Sequence, residues 1–394
     1  MKTPPGLPKE FEESVQKTLG NSFPEFIESL QTPSPVSIRL NPHKYTADNT
    51  NAVPWSKSGK YLNERPKFTL DPVFHAGAYY VQEASSMFIE QALTQTADLS
   101  KPLRVLDISA APGGKSTHLL SLLNSESLLV SNEVIRSRAA VLSENIQKWG
   151  HSNVIVTNND PEDFTKLSGF FDVILVDAPC SGEGLFRKDP EAIKEWSPEN
   201  VALCAKRQRR ILSDVWPALK ENGILIYSTC TYNKSENEET LHWLKEQRGA
   251  ESVPLTVPPD WGIEAVHENG IHGYHFYPHN VKGEGFFLSV IRKTEPQPEA
   301  HFKIRKGLTA PSKKISEQLE AWTTFSLPTF FTWNDMVYVV PETIAKATET
   351  LLDHLMFIQA GTALATMKHD KLIPEHAAAL AIHLNKKNFL QLDV

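Results

Sequence analysis

Residues 103–116, LRVLDISAAPGGKS, place an apolar run, a turn of small residues and the start of a helix in direct succession. Such a run is typical of a strand that is buried on both faces, and glycines let the backbone turn sharply into the next element. The same order returns along the chain. The predicted strands are residues 103–109, 127–132, 153–157, 171–177, 223–229 and 285–293.

Helical periodicity fills the intervals between these strands, at residues 116–123, 135–149, 201–219 and 233–247. The alternation predicts an α/β fold with a Rossmann-like, doubly wound parallel sheet that helices cover on both faces. We expect this sheet within residues 71–295. Residues 1–70, with a helix at 10–30 and a strand at 36–41, form a small N-terminal part, and residues 296–394 form a small C-terminal α/β part.

Composition narrows the class of protein. Of the 394 residues, 40% are hydrophobic and 22% are charged, as in ordinary globular proteins. No stretch approaches the roughly 18 apolar residues of a membrane span, and the N-terminus lacks the apolar core of a signal peptide. Three cysteines are too few for a disulfide framework. We therefore expect a cytoplasmic protein with reduced thiols and no membrane attachment.

The formal net charge of −7 argues against a generally basic nucleic-acid binder, but two segments are locally basic. Residues 206–210 read KRQRR, and residues 281–314 hold eight Lys or Arg against three Glu. Each segment is either a solvated face or a track for phosphates.

The carboxyl ends of parallel strands are the places where such sheets bind ligands. The first strand exit, SAAPGGKS, fits a phosphate-binding P-loop except that Ser109 replaces the first glycine. It fits equally a loop that holds the methionine part of S-adenosylmethionine. After the second strand, Glu133 is placed to accept the ribose hydroxyls of a nucleoside, at an offset of about 20 residues. Asp160 follows the third strand, where it can contact an adenine amino group. Either acid alone could be a helix cap, but together they favour a nucleoside.

The fourth and fifth strand exits carry thiols, Cys180 and Cys230, and neighbouring strands would bring both to one site. Cys204 lies within a predicted helix and is expected to be a buried small residue. A thiolate that adds to carbon 6 of a pyrimidine activates carbon 5 for methylation. A carboxyl group at ring nitrogen 3, the role predicted for Asp177, would stabilise the developing charge. A cation such as Lys115 would help the thiol to ionise. The residues alone leave open which thiol attacks.

Six motifs, in this order and spacing, resemble those of the Sun/Fmu family of RNA cytosine-5 methyltransferases. They are SAAPGGK, NEVIRSR, DAPCSGEG, RKDPEAIKEW, STCTYN and PHNVKGEGFF. The resemblance covers about residues 36–292 and is weaker in GTALATMKHDKLIPEHAAALA. It implies RNA-binding roles for the N-terminal and C-terminal parts, and longer members continue into a further RNA-binding module.

The resemblance also implies roles for single residues. Cys230 would be the nucleophile, Cys180 would help to release the product, and Asp177 and Lys115 would belong to the catalytic centre. The residues implied in binding S-adenosylmethionine are Ser109, Ala110, Ala111, Pro112, Gly113, Gly114, Lys115, Glu133, Arg138, Asp160 and Asp177.

The predicted function is S-adenosylmethionine-dependent methylation of carbon 5 of a cytosine in RNA, with small-subunit ribosomal RNA, free or in a ribosomal particle, as the expected substrate. The alternatives are transfer RNA as substrate, a P-loop-like ATPase and a non-catalytic RNA-binding factor. Arg39 and Asn41 are predicted to form part of an RNA-facing wall. Four histidines in a predicted loop, His267, His272, His275 and His279, lack acids placed as ligands, and no metal is expected.

Overall fold

The computed structural model describes residues 6–45, 50–298, 300–305, 307–368, 371–385 and 387. In its N-terminal part, a three-stranded antiparallel sheet follows two helices, with β1 in the centre. The elements are α1 (Lys9–Leu19), α2 (Phe23–Leu30), β1 (Val36–Leu40), β2 (Gly59–Leu62), α3 (Pro72–His75), β3 (Tyr79–Val81) and α4 (Ile89–Thr96).

The single helix predicted at residues 10–30 is two helices. Gly20 has a φ of +54°, and a short 3-10 turn, Gly20–Ser22, separates α1 from α2. Pro24 then stands in the first turn of α2, where its missing N–H costs nothing, whereas in a continuous helix it would break a hydrogen bond. The two helices pack aromatic side chains against the central part of the chain, and Phe26 meets Tyr232 edge to face at 5.1 Å.

A ten-stranded sheet forms the centre of the molecule. Its elements are β4 (Arg104–Asp107), α5 (Gly114–Leu122), β5 (Leu128–Asn132), α6 (Arg136–Trp149), β6 (Val154–Thr157), β7 (Phe171–Asp177), α7 (Pro190–Glu195), α8 (Pro198–Val215), β8 (Leu219–Thr229), α9 (Glu238–Gln247), β9 (Ala250–Ser252), β10 (Glu264–Glu268), β11 (Ile271–Phe276) and β12 (Phe286–Lys293).

Five of these strands are parallel, in the order β8-β7-β4-β5-β6. Their side chains are buried on both faces because helices cover both, which explains the near-continuous apolar runs in the sequence. The sixth predicted strand, β12, is instead antiparallel to β8, since it follows β11 through a hairpin-like return rather than a helical crossover.

The chain fills the sheet outward from β4, first through β5 and β6 and then on the other side through β7 and β8. The strand order therefore reverses between β4 and β7. A crevice opens at the carboxyl ends of the strands at such a point. The turn after β4 and the exit of β7 flank this crevice, which places the predicted cofactor loop beside Asp177.

The C-terminal part contributes a four-stranded antiparallel sheet, in the order β13-β14-β16-β17, and one strand of the central sheet. That strand, β15, pairs antiparallel with β6. The elements are α10 (Lys313–Glu320), β13 (Pro328–Trp333), β14 (Met336–Pro341), α11 (Glu342–His354), β15 (Phe357–Ala360), β16 (Thr362–Lys368), β17 (Lys371–Pro374) and α12 (His376–Leu380).

The prediction that four histidines share a loop was wrong for three of them. His267 lies on β10, and His272 and His275 lie on β11, because the turn at Asn269 and Gly270 closes a hairpin. His275 is buried, and its Nε2 is hydrogen-bonded to the carboxylate of Glu238. Its place in the sheet makes His275 part of the packing rather than an RNA contact.

Candidate active site

The turn after β4 is shaped by two glycines. Gly113 has a φ of +113°, which residues with a side chain rarely adopt, and α5 begins at Gly114. A Cβ on Gly114 would lie 3.3 Å from the ring of Tyr80, a tight contact that a larger residue could make only if the ring shifted. The backbone N–H groups in the first turn of α5 lack partners within the helix and can bind a carboxylate.

Arg39 supports this turn, whereas Asn41 donates to the carbonyl oxygens of Gly77 and Trp149, and the prediction that the two residues face RNA was wrong. Both are fully buried. The Arg39 guanidinium donates to the carbonyl oxygen of Gly114 (3.3 Å) and to Oγ1 of Thr117 (2.6 Å), and it stacks over Trp149 at 4.4 Å. Burial lowers the pKa of Arg39 to about 9. These contacts tie β1 to the start of α5.

Glu133 and Arg138 lie at the exit of β5, as predicted for the ribose side. Glu133 is buried, and its Oε1 accepts the backbone N–H of Ile135. Its Oε2 lies 3.5 Å from Nη1 of Arg138. Arg138 also donates from Nη2 to the carbonyl oxygen of Ala111 at 2.9 Å, which joins this exit to the glycine turn. Arg138 thus supports the loop directly.

Asp160, predicted at the adenine, caps the turn that follows β6 by accepting the backbone N–H of Glu162. Its Oδ2 lies 3.1 Å from Nη2 of Arg210. Burial raises the pKa of Asp160, but the hydrogen bond from Arg210 outweighs this effect, so the pKa lies below its ordinary value. The carboxylate is therefore charged and half-exposed at the edge of the site.

The two thiols that the sequence placed at neighbouring strand exits are in contact. The Sγ atoms of Cys180 and Cys230 lie 3.1 Å apart, and both cysteines are free. The parallel pairing of β7 with β8 brings them together, since Asp177 is in register with Ser228. Cys204 is buried on α8, as expected.

Lys115 and Asp177 form an ion pair beside the thiols, with Nζ 2.7 Å from Oδ2. Oδ1 of Asp177 accepts the hydroxyl of Ser228 at 2.8 Å. Burial lowers the pKa of Lys115, but Asp177 and the thiol of Cys230 raise it more, so it lies above its ordinary value. The hydrogen bond with Cys230, together with burial, raises the pKa of Cys180 well above its ordinary value.

A cavity of about 440 Å³ opens between the glycine turn and Cys230, which is within the range of about 300–1,000 Å³ for small-molecule sites. The predicted residues that line it are Ser109, Ala110, Ala111, Pro112, Gly114, Lys115, Asp177 and Cys230. The predicted residues Gly113, Cys180, Glu133, Arg138 and Asp160 do not line it. A larger cavity of about 630 Å³, at the amino ends of β4 and β5, contains none of the predicted site residues.

Two further stretches line the cavity, residues 80–83 together with Ser86 and residues 284–286. Glu83 joins them, because its carboxylate accepts backbone N–H groups of Ser85, Ser86 and Glu284. The second stretch lies within the motif PHNVKGEGFF, so its role could have been sought. Nothing in the local pattern of the first indicated a site.

The cations of the two basic segments are not all free to contact phosphates. In the second, Lys293 is buried and donates to the carbonyl oxygens of Trp216 and Leu219. It therefore cannot contact phosphates. In the first, Lys206 and Arg207 are exposed on α8.

Comparison with known families identifies the family of the chain. Residues 95–292 match the family described as 16S rRNA methyltransferase RsmB/F, and residues 7–84 match the N-terminal domain of 16S rRNA methyltransferase RsmF. The chain belongs to the RsmB/F methyltransferase family. S-adenosylmethionine is the cofactor of this family, which decides between the two interpretations of the glycine turn. The small residues of the turn, the first turn of α5 and the carboxylate of Glu133 fit a nucleoside with a carboxylate tail.

Several curated relatives share the name ribosomal RNA small subunit methyltransferase F. The protein from Pectobacterium atrosepticum is 37% identical over 334 residues, which are 78% of this chain and 68% of that protein. The protein from Enterobacter sp. is 33% identical over 422 residues, with 97% and 84% covered. One from Escherichia coli is 38% identical over 304 residues, with 73% and 62% covered.

Solved structures confirm the predicted Rossmann-like fold. A methyltransferase homologue from Pyrococcus horikoshii superposes with a TM-score of 0.62 at 28% identity, covering 73% of this chain and 96% of that one. NSun6 from the same organism, solved with SFG, has a TM-score of 0.62 at 20% identity, with 73% and 98% covered, and shows the shared fold. Within the described ranges, no helix combines the length and apolarity of a membrane span, and no three His, Cys, Asp or Glu residues are grouped to hold a metal.

Proposed function

We propose that this chain methylates carbon 5 of a cytosine in small-subunit ribosomal RNA, with Cys230 as the nucleophile. The observation that carries the proposal is the 3.1 Å contact between the Sγ atoms of Cys180 and Cys230, beside the ion pair of Lys115 and Asp177. A thiol and a charged pair that line one cavity, with a second thiol in contact with the first, suit an acceptor carbon that needs covalent activation. The relatives' names support the choice of RNA.

In the first step, the Cys230 thiolate would form a bond to carbon 6 of the cytosine. The electrons of the C5–C6 double bond then make carbon 5 nucleophilic, and negative charge spreads to ring nitrogen 3. The proton that Lys115 shares with Asp177 can neutralise this charge, because the pair lines the same cavity as Cys230. S-adenosylmethionine, when bound, supplies an electrophilic methyl group for carbon 5.

Release requires that the proton on carbon 5 pass to water, that the proton at ring nitrogen 3 return to the Lys115–Asp177 pair, that the C5–C6 double bond return and that the bond to Cys230 break. The leaving sulfur would be a thiolate next to Cys180. The Cys180 thiol, whose Sγ lies 3.1 Å from that of Cys230, can donate a hydrogen bond to this thiolate. Of the two thiols, Cys230 is the one that lines the cavity, which supports the nucleophile role for Cys230 and the release role for Cys180.

The same proposal assigns RNA binding to parts of the chain outside the active site. We assign RNA binding to the N-terminal part, residues 1–70, and to the C-terminal part, residues 296–394, on either side of the catalytic part, residues 71–295. Exposed lysines at residues 303, 313 and 314 would contact phosphates. A ribosomal RNA substrate also implies a cytoplasmic location and a choice between free RNA and a ribosomal particle. Transfer RNA remains the alternative substrate.

An adduct assay tests the chemistry. Wild type, Cys180→Ala, Cys230→Ala and the control Cys204→Ala are incubated with total RNA and S-adenosylmethionine, and covalent complexes are resolved on a denaturing gel. We expect a slowly migrating adduct to accumulate in Cys180→Ala, because the leaving thiolate loses its hydrogen bond. None should form in Cys230→Ala, and Cys204→Ala should behave as wild type.

Sequencing of the trapped RNA then identifies the substrate. Fragments of small-subunit ribosomal RNA support the proposal, and transfer RNA would replace that substrate. An adduct in Cys230→Ala but not in Cys180→Ala would mean that the roles of the two thiols are reversed.

A further inference from the structure

Two glutamates are buried between the loops that carry the thiols. Glu183 follows Cys180 in the loop at residues 178–184, and Glu236 follows Cys230 in the loop at residues 230–237. Glu183 is 2% exposed and Glu236 is 0% exposed. A buried carboxylate is costly unless donors satisfy it, so the donors show what each one does.

Glu183 binds the opposite loop, immediately after Cys230. Its Oε2 accepts the hydroxyl of Thr231 (2.6 Å) and the backbone N–H groups of Tyr232 (2.8 Å) and Asn233 (3.0 Å). Its Oε1 accepts the indole N–H of Trp196 (3.0 Å) and the side-chain amide of Asn233 (3.0 Å). Five donors thus meet on one carboxylate, and four of them belong to the loop of Cys230.

Glu236, in the loop of Cys230, binds the loop that carries Cys180. Its Oε2 accepts the backbone N–H of Ser181 (2.9 Å), the residue directly after Cys180, and its Oε1 accepts the hydroxyl of the same serine. The amide of Gln208 donates both to Oε2 of Glu236 (2.9 Å) and to the carbonyl oxygen of Pro179 (3.1 Å), the residue directly before Cys180. Asn233 bridges the two carboxylates, since its Nδ2 also lies 2.7 Å from Oε1 of Glu236.

We propose that Glu183 and Glu236 are positioning residues that lock the two thiol loops to each other and thereby hold Sγ of Cys230 against Sγ of Cys180. The inference rests on the proposed roles of the two thiols in the reaction. Each glutamate holds a residue that directly follows a cysteine, so a loop released from its carboxylate would move its sulfur. A displacement of 1 Å at a reacting group can cost on the order of 100-fold in rate.

The donors also explain why these positions require a carboxylate. Every group that contacts Glu183 or Glu236 is an N–H or O–H donor. A glutamine has the same shape, but its NH₂ group donates and would face other donors. The substitution therefore opens the contact between the loops without removing volume.

The test measures how readily the two thiols meet. In a Cys204→Ala background, Cys180 and Cys230 are the only cysteines. Diamide converts them to a disulfide by taking one hydrogen from each thiol, and is itself reduced to the hydrazine. The variants are Glu183→Gln and Glu236→Gln, with Glu238→Gln as matched control. Glu238 is also a buried glutamate, but its side chain bonds to His275 and to neither loop.

We expect Glu183→Gln and Glu236→Gln to slow disulfide formation by about tenfold or more, and Glu238→Gln to leave the rate unchanged. The affinity for S-adenosylhomocysteine should stay the same in all three, which shows an intact sheet. Coupling in both loop variants as fast as in the control would overturn the inference.

Two milder variants decide the matter if a glutamine variant does not fold. Thr231→Val removes one hydroxyl donor to Glu183, and Ser181→Ala removes one to Glu236. Both should slow coupling by a smaller factor, and wild-type rates in both would sink the idea. In steady-state methylation, kcat should fall with the coupling rate while the KM for RNA holds. If even the parent protein methylates no RNA, the proposed function fails, while the coupling rates still judge the two glutamates.

Discussion

Two ion pairs occupy the same edge of the sheet, and they differ in burial more than in length. Asp160 and Arg210 meet at 3.1 Å with side chains 41% and 53% exposed. Lys115 and Asp177 meet at 2.7 Å with side chains 17% and 33% exposed, between the sheet and the thiols. Water and salt screen the attraction between the charges of the first pair, and they screen the more buried second pair far less. The difference teaches that an acid–base pair near the sheet edge is expected to matter more the less water reaches it, and it leads us to expect a binding role for the outer pair and a chemical role for the inner one.

The largest effect is expected from breaking the inner pair. Lys115→Met should lower kcat on the order of 100-fold to 1,000-fold, because the charge at ring nitrogen 3 loses its proton source. Methyl transfer from labelled S-adenosylmethionine to RNA measures this. Lys188→Met is the matched control, since Lys188 lines the same cavity without pairing with Asp177, and it should change KM for RNA rather than kcat. Equal losses of kcat in the two variants would refute the difference in role.

A smaller effect is expected from the buried acid on the ribose side. Glu133→Gln keeps the shape but removes the charge that two ribose hydroxyls would meet. The affinity for S-adenosylhomocysteine should fall about tenfold, in line with the loss of a hydrogen bond to a charged group. Isothermal titration gives this number directly. At saturating cofactor, kcat should return to the wild-type value, and a persistent loss would place Glu133 in the chemistry.

The smallest effect is expected at the outer pair. Arg210→Gln should change the affinity for S-adenosylhomocysteine by less than about threefold, because an exposed pair contributes little. The difference between variant and wild type should vanish as salt is raised. A tenfold loss of affinity that persists at high salt would show that salt screens the outer pair as little as the inner one. The comparison would then no longer hold.

The sequence predicted the sheet well where burial is uniform. The strand at residues 171–177 has the predicted bounds, because both faces are covered and the apolar run ends where the strand ends. It also placed Cys180 and Cys230 together, since the exits of neighbouring parallel strands must meet. The roles proposed for these residues stay predictions that the adduct assay decides.

The failures concern contacts between distant parts of the chain. Arg39 alternates with apolar residues on β1, a pattern that predicts an exposed side chain. Its burial is explained by contacts with residues distant in the sequence, among them Gln82, Thr117 and Trp149. Likewise, nothing local in FIQA shows that β15 joins the central sheet rather than its own. A local sequence pattern indicates which side chains of a segment are buried, but it does not show which distant part of the chain buries them.

The position of β15 has a consequence for synthesis of the protein. Asn159, just after β6, is hydrogen-bonded to Met356, which lies 197 positions further along the chain. Until the ribosome has released β15, the outer side of β6 presents unpaired backbone groups to any other strand. The sheet that carries the thiols is thus completed late. While nearly half of the protein is still being made, the exposed edge of β6 must not pair with strands of other chains.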